Sequence, residues 1–98
     1  MAYVVDPERR EVRALERVAI WRRKRVIEIG CGEGRLTSRL ARLGARVLAI
    51  DPDAKRIRAA RRSLPRRLAE RVRYRVRQAE RLDVARDSFD LAVFSWAL

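Results

Sequence analysis

The residues Gly30-Cys31-Gly32-Glu33-Gly34 are the part of this chain whose types and spacing most plainly point to chemistry. They follow Val26-Ile27-Glu28-Ile29, a short and mostly β-branched run that reads as a buried strand. They precede Leu36, Leu40 and Leu43, spaced as one face of a helix, with Gly44 suited to the left-handed cap that ends it. A strand, a glycine-rich turn and a helix make a ligand site. The glycines let the main chain approach a ligand, and free N–H groups at the helix terminus are expected to face it. Asp51 closes the next apolar strand, Val47-Leu48-Ala49-Ile50, where a carboxylate can accept hydrogen bonds from ribose hydroxyls. A nicotinamide dinucleotide and an adenosyl cofactor are served equally by this much.

Two details separate those ligands. The dinucleotide fingerprint G-x-G-x-x-G places its third glycine at position 35, which here is Arg35; Gly34 comes one residue early. Glu28, two residues before the first glycine, would repel a nearby pyrophosphate and attract a cation. S-adenosylmethionine carries no phosphate, has a sulfonium and an amino group, and presents an adenosine for Asp51. Electrostatics therefore favours that cofactor, with an NAD-binding fold a distant alternative. Glu28, Glu33, Asp51, Asp53 and Glu80 are expected near the C-terminal ends of the strands, an acidic mouth on a basic body.

The elements that must position these residues have to fit in 98 residues, 48% hydrophobic and 39% charged, which suits one domain and a small core. No apolar run approaches the roughly 20 residues that cross a bilayer, and no secretory segment opens the chain. The expectation is a soluble, cytoplasmic protein without a membrane partner. The single cysteine, Cys31, excludes an internal disulfide, and the absence of histidine removes the commonest zinc ligand and general base, so no metal site is expected. The formal net charge of +12 attracts polyanions. Its arginines are scattered, which favours solvated helix faces; the tightest cluster, Arg22-Arg23-Lys24-Arg25, has the makings of a phosphate site or of a solvated turn.

Asp6-Pro7 opens a predicted helix with Val12, Leu15 and Ala19 on one face, ending near Trp21, so that residues 1–24 form an N-terminal helix and basic turn. A later helix carries Ile57, Ala60 and Leu64 inward until Pro65 stops it. Val72, Tyr74 and Val76 alternate with Arg73, Arg75 and Arg77, the pattern of an edge strand with one buried face. Phe89-Asp90-Leu91-Ala92-Val93-Phe94 is apolar almost throughout and reads as a strand covered on both faces. Four strands alternating with helices imply right-handed crossovers and a parallel α/β sheet.

In these blocks the sequence resembles the class I S-adenosylmethionine-dependent methyltransferases, above all the small methyltransferase domain found in ubiquinone and menaquinone biosynthesis enzymes. Residues 26–34 are similar to that family's first motif and residues 47–51 to its second. Arg77-Gln78-Ala79-Glu80-Arg81-Leu82 corresponds to the segment touching adenine, and residues 88–95 to the fourth strand. The resemblance implies that Gly30, Cys31 and Gly32 line the methionine portion, with Glu28 organising the loop or meeting the amino group. It also implies that Asp51 holds the ribose, Pro52 packs on adenine, and Ala79 and Glu80 adjoin the ring. Ser95 would end the fourth strand near the sulfonium. Gln78 stands where the family usually has Asp. Read without the family, Cys31 is a small packing residue, Glu80 a solvated acid, and Trp21, Trp96, Phe89 and Phe94 are packing residues.

The family fold is a Rossmann-like sheet of seven strands in the order 3-2-1-4-5-7-6, so the expectation for residues 1–98 is a single partial domain, its N-terminal half, 3-2-1-4 with flanking helices. The fourth strand is then expected to be an exposed edge, from truncation, from a missing partner chain or from pairing in a homodimer; truncation is favoured, with weak or no turnover. The expected activity is methyl transfer to a small-molecule acceptor, with no catalytic residue assigned. The alternative is a basic nucleic-acid-binding module, or an RNA methyltransferase fragment, with a vestigial cofactor cleft.

Overall fold

The computed structural model describes residues 21–78 and 88–95, together with the main chain of residues 2–5. The predicted first helix, Ala79, Glu80, Leu82 and Trp96 lie outside the described residues. The elements are β1 (Ala2–Val5), β2 (Arg25–Ile29), α1 (Arg35–Arg42), β3 (Arg46–Asp51), α2 (Ala54–Ser63), a 3-10 turn (Arg66–Arg71), β4 (Val72–Val76) and β5 (Leu91–Phe94). They form one sheet in the order β1-β5-β2-β3-β4, with every pairing parallel. The run β4-β3-β2-β5 is the expected 3-2-1-4 half-sheet.

The fifth strand corrects the expected edge. Ala2–Val5 lies alongside β5, Ala2 opposite Leu91 and Val5 opposite Phe94, so the fourth predicted strand is an inner strand, and the edge invoked for a dimer or partner chain is already paired. Four apolar residues before Asp6-Pro7 are too few to show a period of two, which is why the sequence did not reveal them.

Alternation along the strands divides the core into two faces. Val26, Val47, Ala49, Val72, Tyr74 and Val93 are buried with Leu36 and Leu40 of α1 and Ile57 and Ala60 of α2. Ile27, Ile29, Ile50 and Ala92 form the opposite cluster, with Leu48, Phe89 and Phe94 half-buried against it. Trp21 is buried in the first cluster, as packing. Val76 departs from the expected pattern: it is 48% exposed at the end of β4, which only β3 borders.

The helix ends follow local chemistry. At the end of α1, Gly44 (φ 99°) donates to Ala41 O and Ala45 to Leu40 O, the paired bonds of a left-handed C-terminal cap. Asp53 caps α2, its carboxylate accepting from the Lys55 and Arg56 amides. Leu64 turns extended before Pro65, as a residue preceding proline must.

Candidate functional site

A parallel sheet collects the C-terminal ends of its strands at one edge. Here that edge carries the loop Gly30–Gly34 after β2, Pro52 after β3, Gln78 beyond β4 and Ser95 after β5. The Arg77 amide donates to Asp51 O (3.1 Å) and the Ser95 amide to Ile29 O (3.1 Å), which fixes those two segments beside their neighbours. Pro52 and Gln78 are exposed there, as are Glu33 and Asp53.

The glycine loop is held from beneath. Gly30 and Cys31 both donate to Ile50 O (2.9 and 3.0 Å), Gly34 donates to Cys31 O (3.0 Å), and Gly32 donates to Asp51 Oδ2 (2.9 Å). The other carboxylate oxygen of Asp51 accepts from the Asp53 amide (2.9 Å). The amides of Gly30, Cys31, Gly32 and Gly34 do not stand free for a ligand, because the neighbouring strand β3 takes three of them and the loop itself the fourth. Asp51 is 4% exposed, so it braces the loop at the position where it was expected to meet a ribose.

Glu28 is fully buried, on the side of the sheet where α1 and α2 pack. An unpaired carboxylate there would be prohibitive, and the structure supplies partners. Thr37 Oγ1, from the buried face of α1, donates to Oε1, and Ser95 Oγ donates to Oε2 (2.6 Å). Ser95 Oγ also lies 3.2 Å from Gly30 O, so one hydroxyl spans β5, β2 and the loop. The acidic mouth is thus layered: Glu33 and Asp53 at the surface, Asp51 and Glu28 below. Thr37 escaped the sequence reading, although a polar residue among the buried Leu36, Leu40 and Ala41 of an amphipathic helix was a signal.

Cys31 is buried (7% exposed), its Sγ 3.8 Å from Gly32 O. Burial first, then the Glu28 and Asp51 carboxylates, push its thiol well above the ordinary 9.0. A thiol held protonated is no nucleophile. Tyr74 also escaped notice. Its hydroxyl is buried and makes no hydrogen bond. Burial pushes the phenol up to about 12; the hydroxyls of Thr37 and Ser38 nearby offset part of the rise, and the Glu28 carboxylate and Cys31 add to it. That hydroxyl explains Gly34: a Cβ there would come 2.2 Å from Tyr74 Oη, at φ 87°, so both space and backbone require glycine. Gly32 is the reverse case, because a Cβ on it would meet nothing within 4 Å. The loop is packed at Gly34 and open at Gly32.

Comparison with known proteins agrees with this architecture. Residues 26–98 match the family model described as "Methyltransferase domain". The chain is 39% identical over 74 residues to the mitochondrial ubiquinone biosynthesis O-methyltransferase of Mus musculus, covering 72% of this chain and 20% of that protein. Against the ubiquinone biosynthesis O-methyltransferase of Agrobacterium fabrum the identity is 43% over 67 residues, 68% of this chain and 26% of the relative. The crystal structure of an S-adenosylmethionine dependent methyltransferase from Mesorhizobium loti superposes with a TM-score of 0.76 at 28% identity, over 91% of this chain and 39% of that one. This chain therefore spans a fifth to two fifths of these three proteins. A match that begins at β2 and takes in the glycine loop, Asp51 and Ser95 places the chain in the methyltransferase domain family, with the class I sheet order.

Proposed function

We propose that this chain is the cofactor-binding half of a methyltransferase that uses S-adenosylmethionine and delivers the methyl group to a small-molecule acceptor. The observation that carries the reading is the inward commitment of the loop amides. Four main-chain donors of the loop, those of Gly30, Cys31, Gly32 and Gly34, are bonded to Ile50, Asp51 and Cys31, above a buried carboxylate. A phosphate-free, cationic nucleoside suits that floor better than a dinucleotide. The fit is also steric, since the space above Gly32 is open.

In this reading Gly30, Cys31 and Gly32 line the methionine portion, and Ser95 stands beside them at the end of β5. Glu28 acts through its hydrogen bonds to Thr37 and Ser95 to set the loop. Asp51 retains unused lone pairs for ribose hydroxyls while bracing Gly32 and Asp53. Pro52 and Gln78 flank the adenine, with Ala79 and Glu80 following in the chain. Bound S-adenosylmethionine would supply a methyl group already activated by its sulfonium. What the protein contributes is alignment, which is worth roughly 7–11 kcal/mol where an acceptor is held in line. No histidine is needed for that. The ubiquinone-biosynthesis relatives support a small-molecule acceptor, and no feature of the described residues favours nucleic acid at this edge.

Calorimetric titration with S-adenosylhomocysteine tests the reading. Saturable heat with the wild-type chain and none with NADH is the expected result; heat with NADH alone would sink it.

A further inference from the structure

The opposite edge of the sheet holds a second, differently charged site. The turn before β2, the loop between α1 and β3 and the 3-10 turn before β4 meet where the parallel strands begin, around an open cavity of about 660 Å³. It is lined by Arg22, Arg23, Arg42, Arg46 and Arg71, with Glu70 the one acid among its lining residues. In sequence Arg22 and Arg23 stand together; the topology brings Arg42, Arg46 and Arg71 to them. A strand of five residues separates this edge from the glycine loop by roughly 15–17 Å, so the two sites are distinct.

The rim is fixed rather than loose. Arg23 holds φ at 64°, unusual for a residue with a side chain, and its amide donates to Gly44 O (2.9 Å). A Cβ on Gly44 would come 3.0 Å from Arg22 Cα, so glycine lets the two loops close on each other. Arg71 Nη1 donates to Ala41 O (3.2 Å), tying the 3-10 turn to α1. Among the described residues, none of the five guanidiniums pairs with a carboxylate. The end of α1 offers a partial negative charge of about half a unit, which does not offset five cations against one acid.

We propose that this basal cavity binds an oligophosphate, a chain of adjacent phosphates such as a nucleoside triphosphate or an inorganic polyphosphate carries. Planar guanidiniums bind phosphate oxygens in pairs, and a volume of about 660 Å³ suits a ligand of nucleotide size. Glu70 lowers the affinity, and its neutralisation raises it.

Titration of the 98-residue chain with tripolyphosphate in low-salt buffer tests this. Wild type should saturate at one site. The double variant R42Q/R46Q should bind about tenfold more weakly or worse, while R58Q/R62Q, which removes the same charge from the exposed side of α2, should change affinity by less than about twofold. Glu70→Gln should tighten binding by about two- to threefold. Equal losses in the two double variants would reduce the effect to net charge and overturn the site. If R42Q/R46Q fails to fold, Glu70→Gln decides, and no gain overturns the proposal. ATP as a second probe separates the sources: affinity equal to tripolyphosphate means that only phosphates are read, and tighter binding that the nucleoside is read too, either of which supports it. A short oligouridine that binds and is not displaced by tripolyphosphate overturns it in favour of nucleic acid.

Discussion

Asp51 and Gly32, nineteen residues apart, are joined by a 2.9 Å hydrogen bond from the Gly32 amide to Asp51 Oδ2, so the acid that ends β3 shapes the loop that leaves β2. The same carboxylate receives the Asp53 amide. Asp51→Asn keeps one oxygen and turns an NH2 group towards the other donor. It should cost about 1–2 kcal/mol in urea unfolding, and Asp51→Ala about 2–3 kcal/mol, because both amides lose a charged acceptor. S-adenosylhomocysteine binding should weaken in both; a variant that is destabilised yet binds as wild type would show that Asp51 serves the loop alone.

Gly32 and Gly34 should respond differently to the same added methyl. Gly32→Ala costs about 1 kcal/mol, since φ is 56° and the new Cβ meets no protein atom, but it fills the open side of the loop and should abolish cofactor binding. Gly34→Ala drives a Cβ into the Tyr74 hydroxyl and should destabilise by about 3 kcal/mol or more. Tyr74→Phe removes that hydroxyl and should recover part of the loss in a double-mutant cycle; additivity would show that backbone strain alone accounts for Gly34.

The Glu28 carboxylate depends on both of its donors. Thr37→Val keeps the shape of the side chain, removes one hydrogen bond, and should cost about 1–3 kcal/mol. Ser95→Ala removes the link between β5 and β2 at the loop and should weaken S-adenosylhomocysteine binding more than it lowers stability, because Ser95 is half-buried. Thermal melts beside titrations distinguish the two patterns.

Stability should fall on the alkaline side. Cys31 and Tyr74 are both held protonated in the fold, above ordinary values of 9.0 and 10.0. A raised folded pKa contributes stability in full below the ordinary value and loses it as pH climbs towards the folded one. The urea midpoint should therefore be level near pH 8 and decline from about pH 9 upward, with the Tyr74 part, about 2–3 kcal/mol, complete only near its folded pKa of about 12. Tyr74→Phe should flatten the upper part of that decline. Cys31 should resist alkylation at pH 8 until denaturant is added.

The acidic side rests partly on Asp90. Its carboxylate accepts the Arg25 amide (2.8 Å), and that amide together with the Arg25 guanidinium holds it below the ordinary 3.8. A lowered folded pKa gives stability above the ordinary value and loses it as pH falls, so Asp90→Asn should lessen acid sensitivity below about pH 4, by a small amount because the group is exposed. A denaturant midpoint that is equally acid-sensitive in the variant would remove Asp90 from this role.

The glycine loop, the four strands around it and the acid at Asp51 were legible because each is local: short β-branched runs stop at glycine or Asp-Pro, and helical spacing is visible within eight or ten residues. Four residues of β1 carry no such period, and only pairing with β5 makes them a strand. The sequence left Glu28 either to organise the loop or to meet an amino group of the ligand; only the closed sheet shows its carboxylate buried, with Thr37 and Ser95 from two other elements as partners. The sequence spoke only of donors at the helix terminus; that the amides of the loop before it are spent on Ile50 O is a property of strand register. The arginines at 22, 42, 46 and 71 fall in four separate segments, and parallel pairing alone brings the beginnings of those strands to one edge. Local chemistry along the chain thus determined which elements form and what kind of ligand the loop suits. Which groups are spent inside the protein and which are left for a ligand depended on contacts across tens of residues, and those exist only once the sheet has closed.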